Sequence, residues 1–212
     1  MLIHSFDSGK SETEWRDWIA QGGKFGTLVV GGGDGEAPIV VPTHFVLAND
    51  KIVLHLHKAN DVIPSLRSGS KVTFSVIGDY AYIPSQWRAK DPANPQDGVP
   101  TSYYAAVNFE CSPTVIDDAD GKVEILKQTM LYFQPDGGYA DISPDSEPYG
   151  HYIPVITGVE LQINKVEAKF KYDDHKSVEF REQIIEKLVA RNSTEDAGAA
   201  AQQRRRLSQS TD

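Results

Sequence analysis

The chain has 212 residues, 40% of them hydrophobic and 24% charged, which is enough for one full core with a small addition. Its net charge of −9 argues against a body that grips a nucleic-acid backbone, and the dense basic cluster is confined to the arginines at 204–206. No apolar run approaches the roughly 20 residues of a membrane helix; the start, MLIHSFDSGKSE, lacks a secretory pattern, and the single Cys111 excludes an internal disulfide, so a reducing cytoplasm is expected.

In chain order, SETEWRDWIAQ (11–21) carries a capping-box pattern, Ser11 with Glu14, ahead of Trp15, Trp18 and Ile19 at helical spacing, and Gly22 and Gly23 stop the helix. The β-branched runs FGTLVV and PIVVPTHFVL, joined by a Gly-rich loop containing Asp34 and Gly35, predict a hairpin. Asn49 and Asp50 turn the chain into KIVLHLHK, where His55 and His57 share a strand face. Asn60 is placed to cap a short helix in DVIPSLRSG, whose Pro64 limits its length.

SKVTFSVI (70–77) predicts a strand, followed by the aromatic segment GDYAYIPSQW and the turn-rich RAKDPANPQDGVP. VPTSYYAAVNFEC predicts another strand, and GKVEILKQTMLYF a helix with Val123, Leu126, Met130 and Phe133 as its stripe. A loop over 134–150 leads to the long alternating strand GVELQINKVEAKFKY. SVEFREQIIEKLV predicts a closing helix capped by Ser177, with Phe180, Ile184 and Leu188 inward. The expected domains are an N-terminal helical extension (1–24), a mainly β domain with α additions (25–190) and a disordered tail (191–212), whose composition offers too little apolar surface to fold. Six or seven strands, hairpins first, predict an antiparallel barrel.

Three chemistries are candidates. His44, His55 and His57 could ligate zinc or iron, set against their being plain polar lining. Lys58 followed by Asn60 at a strand-to-helix junction could hold a phosphate, although Asp61 opposes an anion and Lys58 could simply be solvated. Tyr80, Tyr82, Trp87, Tyr103 and Tyr104 could stack on a flat ring or form a core layer. Cys111, in an apolar strand, has the setting of an inert thiol, and no nucleophile elbow or phosphate loop occurs.

Taken in order, five segments resemble the PaiB-type FMN-binding proteins, also called negative transcriptional regulators, within the split β-barrel flavoproteins. These are PTHF (42–45), HLHKAN (55–60), GDYAYIPSQW (78–87), VPTSYYAAV (99–107) and GVELQINKVEAKFK (158–171), so that the resemblance spans roughly 25–190. Asp61, Asp79 with Tyr80, and Ser102 with Tyr103 depart from the family pattern. The resemblance implies an antiparallel FMN-binding split β-barrel that dimerises with the flavin at the subunit interface. It implies that Lys58 and Asn60 hold the FMN phosphate with His55 and Leu56 beside it, and that Thr43 and His44 contact the ring or ribityl chain. Tyr82 and Trp87 would line the pocket from either subunit, Tyr103 would also contact the cofactor, and Lys169 would add a second cation. The implied role is flavin redox chemistry or flavin sensing, with no catalytic side chain assigned. The alternatives are a transcriptional regulator acting through DNA or a protein partner, DNA being disfavoured by the charge, and a histidine metal barrel.

Overall fold

In chain order the computed structural model, which describes residues 1–21, 25–33, 35–91 and 93–209, contains helix α1 (Glu14–Ala20), strands β1 (Gly26–Val30), β2 (Ile39–Thr43), β3 (Val46–Ala48) and β4 (Lys51–His57), and helix α2 (Ile63–Arg67). Strand β5 (Val72–Ile83), α3 (Ser85–Arg88), β6 (Thr101–Ile116), α4 (Ala119–Phe133), α5 (Tyr149–Tyr152), β7 (Ile156–Lys171), α6 (Val178–Arg191) and α7 (Asp196–Ser208) follow. The seven strands form one sheet in the order β2-β1-β5-β6-β7-β4-β3. Every strand pair with a described register is antiparallel.

Two compact units divide the chain. One comprises residues 19–76 and 108–166, and the other 1–18, 77–107 and 167–212. In the first, the expected hairpin is β1 with β2, Gly26 opposite Thr43. Of its expected turn, Asp34 lies outside the described residues, as do Gly22 and Gly23, while Gly35 adopts φ +82°. Gly26 must be glycine, because a Cβ there would sit 2.2 Å from Cζ of the buried Phe74. The second hairpin, β3 with β4, turns at Asn49 (φ +56°). Asp118 caps α4 by accepting from the Gly121 N–H at 2.7 Å. The buried residues of α4 are Lys122, Ile125, Leu126 and Thr129; of the expected stripe, Leu126 is buried with Val123 and Met130 packed against its cluster, and Phe133 is exposed. Leu126 packs with Ile142 and Ile153, and the Lys122 ammonium donates to the Ile153 carbonyl at 3.2 Å. The apolar stem of the lysine thereby joins the core while its charged end is satisfied.

The other unit holds α6, α7 and α1 as far as Trp18. The capping box does not form as expected: Glu14 accepts from the Lys10 N–H and from Arg205 and Arg206. Ser177 caps α6 as expected, accepting from the Phe180 N–H at 3.3 Å, and Asn192 ends it in the left-handed region. The tail expected to be disordered instead forms α7 over Asp196–Ser208. Its buried face is Asp196, Ala199, Ala200, Gln202, Gln203 and Arg206, which composition alone cannot distinguish from solvated chain.

Strand β5 runs six residues beyond its expected end at Ile77. Its even-numbered residues, Val72 to Val76, face inward at first, but after Asp79 the inward residues are Ala81 and Ile83. Asp79 takes φ +52°, and this bulge shifts the alternation by one position. Within this unit the Trp18 indole N–H donates to Asp79 Oδ2 at 2.6 Å, and the Tyr172 hydroxyl donates to the Asp79 carbonyl at 3.0 Å.

Candidate functional site

The candidate site grows from strand β4. Its pairing with β7 sets His55 opposite Gly158 and His57 opposite Ile156. A Cβ on Gly158 would lie 2.4 Å from Ile125 Cδ1, so the missing side chain lets α4 settle against the sheet beside His55. His44 follows β2, and its ring lies 5.0 Å from that of His55, edge to face. Phe133, at the end of α4, meets His44 at 5.6 Å. Thr43 is buried and donates its hydroxyl to the His44 carbonyl at 3.0 Å, while Leu56 is buried in the core.

Burial, and secondarily the neighbouring His44, push the His55 imidazole down to about 4. The ring is therefore neutral near pH 7, and its buried Nδ1 has no hydrogen-bond partner among the described residues. The unfolded chain takes up a proton near pH 6.5 that the folded chain refuses until about 4. Stability from this group is thus full above 6.5 and lost as pH falls through that window. Acidifying from about pH 7 to about pH 4.5 is expected to lower the urea stability of the wild type by about 2 kcal/mol more than that of His55→Gln. Parallel pH profiles for the two proteins would contradict this.

At the end of β4 the chain turns tightly. The Lys58 N–H donates to the Val155 carbonyl at 2.9 Å, and its ammonium donates to the Pro154 carbonyl at 3.0 Å. Lys58 is exposed, and an ammonium has three donors, so this bond leaves capacity for an anion. Asn60 does not cap the helix as expected, because α2 begins at Ile63. Its Oδ1 accepts from the Val62 N–H at 3.2 Å, a local turn that leaves the amide NH₂ as the donor end. Asn60 is half-buried and Asp61 exposed.

The remaining four candidates lie in the other compact unit. Tyr82 is exposed, and Trp87 carries the Arg191 guanidinium 4.6 Å above its ring. Tyr103 is wholly enclosed, with its hydroxyl donating to Asp173 Oδ2 at 3.0 Å; it sits in a core layer rather than on an open ring face. Lys169 is buried and donates to the Leu2 carbonyl at 2.9 Å, with Asp7 at 3.7 Å, so its charge is already engaged. Cys111 is buried and its thiol is pushed up to about 12 by desolvation, as suits an inert thiol.

The three histidines do not assemble as metal ligands. His57 Nδ1 accepts from the Ala59 N–H at 3.2 Å, and no group of three or more His, Cys, Asp or Glu among the described residues is placed to hold a metal. Sequence reasoning missed Phe133 and the Pro154 carbonyl. Helical spacing places Phe133 in the core stripe, and a backbone carbonyl leaves no sequence signal. Gly158 was visible only as one letter of a motif.

The residues of β4 and its turn fit FMN by the chemistry of their donors. Lys58 and the Asn60 amide match a phosphate, and the unpartnered His55 nitrogen matches a polar atom of the ribityl chain or ring. The family model described as "Putative FMN-binding domain" matches residues 1–165. No curated protein matches the sequence significantly. Among solved structures, the chain is similar to the flavocytochrome Anf3 from Azotobacter vinelandii, with 15% identity over 77% of this chain and 73% of that one, at a TM-score of 0.57. It is also similar to the FAD and heme binding protein from Mycobacterium smegmatis, with 13% identity over 87% and 80%, TM-score 0.57. A conserved hypothetical protein, Rv2991 from Mycobacterium tuberculosis, gives 16% identity over 80% and 90%, TM-score 0.54. At these identities the likeness is one of fold: mainly β, antiparallel, of the split-barrel class. Among the described residues no helix is long and apolar enough to cross a membrane.

Proposed function

Because the chain belongs to the FMN-binding domain family and FMN is its cofactor, we propose that it is a flavin-dependent redox protein whose cofactor is gripped at the end of β4. The observation that carries this reading is the unpartnered, buried nitrogen of neutral His55, three positions before Lys58 and five before Asn60. Lys58 and the Asn60 amide donate to the phosphate. Thr43, His44 and His55 border the ribityl chain and ring, with Leu56 as apolar backing. When bound, the flavin supplies electron or hydride transfer, and the protein supplies position and exclusion of water.

The finer assignment is PaiB-type and cytoplasmic. The proposed assembly is a homodimer with the flavin at the subunit interface. Exposure of Tyr82 supports this. A DNA-binding regulator finds little support in the arginines at 204–206, because Arg205 pairs with Glu14, and Arg206 with Glu14 and Asp174.

Titration with FMN tests the reading. Saturating FMN at about 100 times its Kd is expected to add about 2.7 kcal/mol of stability, with a rise in Tm of several degrees and quenched flavin fluorescence. If saturating FMN changes neither Tm nor fluorescence, the proposal fails.

A further inference from the structure

The C-terminal helix α7 lies beyond the residues matched by the family model and is attached to its own unit in an unusual way. Its buried apolar contribution is two alanines, Ala199 and Ala200. Leu207 is half-buried, the guanidiniums of Arg205 and Arg206 lie over the Phe170 ring at 5.6 and 5.1 Å, and the hydrogen-bonded attachment is ionic and polar. Arg206 donates to Glu14, to Asp174 and to the Ser8 carbonyl, and Arg205 donates to Glu14. Gln203 donates to the Tyr103 hydroxyl and the Tyr172 carbonyl, both at 3.3 Å.

In the polar cluster that α7 joins, three buried side-chain atoms have no hydrogen-bond partner among the described residues: Gln203 Oε1, Arg181 Nε and Arg88 Nε. They belong to one cluster. Arg181 shares Asp174 with Arg206, and Arg88 shares Asp173 with Tyr103, on which Gln203 rests. Desolvated groups without partners weaken the closed arrangement, and lifting α7 would return them to water. On the helix itself the fully buried apolar groups that oppose this step are alanine methyls, which contribute least to burial. The linker at 192–195 begins with left-handed Asn192, and Arg191 at the end of α6 pairs with Asp196 at the start of α7 across it, which makes this end the hinge.

We propose that α7 is a releasable latch, which opens while the rest of its unit stays folded and uncovers the hydrogen-bonded cluster of Tyr103, Asp173, Arg88 and Arg181. Anions promote release by binding the freed arginines, so opening responds to salt although the closed pairs are themselves shielded.

Amide hydrogen exchange on the full chain, read by mass spectrometry, tests this. Amides of α7 are expected to exchange at least about tenfold faster than those of α6. Raising NaCl from roughly 50 mM to roughly 1 M is expected to speed α7 at least about threefold while α6 is unchanged. Arg205→Gln, at a part-exposed position, is expected to speed α7 selectively. If α7 and α6 exchange together, fast or slow, at both salt concentrations, α7 is an integral part of the fold and the latch is overturned.

Discussion

Trp18→Ala is expected to destabilise the protein by about 3–5 kcal/mol, the range for emptying a large aromatic from a packed core. Trp18 is 0% exposed, lies edge-on to Phe170 at 6.2 Å, and its indole N–H holds Asp79 Oδ2 at 2.6 Å. Truncation therefore opens a cavity and removes one of the bonds that hold the positive-φ bulge. Tyr172, donating to the Asp79 carbonyl, would remain as the second tether. Trp18→Phe should recover much of the packing but not the indole bond, and so fall between the two. The measurement is urea unfolding followed by circular dichroism, with unchanged m-values showing that the loss is one of stability. A loss below about 1 kcal/mol would mean that neighbouring side chains collapse into the space.

Lys58→Glu is expected to weaken FMN by about 100-fold or more, roughly 3 kcal/mol, because a charge-assisted donor becomes a like charge facing the phosphate. Riboflavin, which lacks the phosphate, serves as the internal control and should bind both proteins equally. Lys58 is exposed, and its side-chain bond is to the Pro154 carbonyl, so the fold should be little affected. Fluorescence titration separates the outcomes. Equal weakening of both flavins would point to local disruption at the turn, and no weakening of FMN would move the phosphate away from Lys58. Asn60→Asp, which replaces the amide donor while keeping the Oδ1 acceptor for Val62, should lower FMN affinity in the same direction by a smaller factor.

Much of the fold was legible because local chemistry and tertiary packing agree. The β-branched runs on either side of the Gly-rich loop pair as β1 and β2, and Ser177 caps α6 as its position implies. Where they disagree, the sequence misleads. Helix α7 buries Gln203 and Arg206 at 0% exposed, so a search for apolar periodicity passes over it. The extension of β5 was hidden by its own bulge, which breaks the period of two that would have announced it. At the candidate site, the residue types and their order on β4 were readable. The closure of Tyr103 and Lys169 inside their unit was not, since it depends on Asp173, Asp7 and the Leu2 carbonyl, all distant in the chain.

The bulge at Asp79 also governs which errors the gene can absorb here. Substitution at position 79 by asparagine or glycine keeps a residue at ease with φ near +52°. Removal of one codon at 78 or 79 is a different event. It would restore strict alternation with Ala81 and Ile83 still inward and Tyr80 and Tyr82 still outward, and would remove or displace the bulge residue that Trp18 and Tyr172 hold. The faces of the strand would thus survive a frame-preserving deletion of one residue, and the inherited constraint at this point of the sheet is the residue that bonds to Trp18 and Tyr172 rather than the length of the strand.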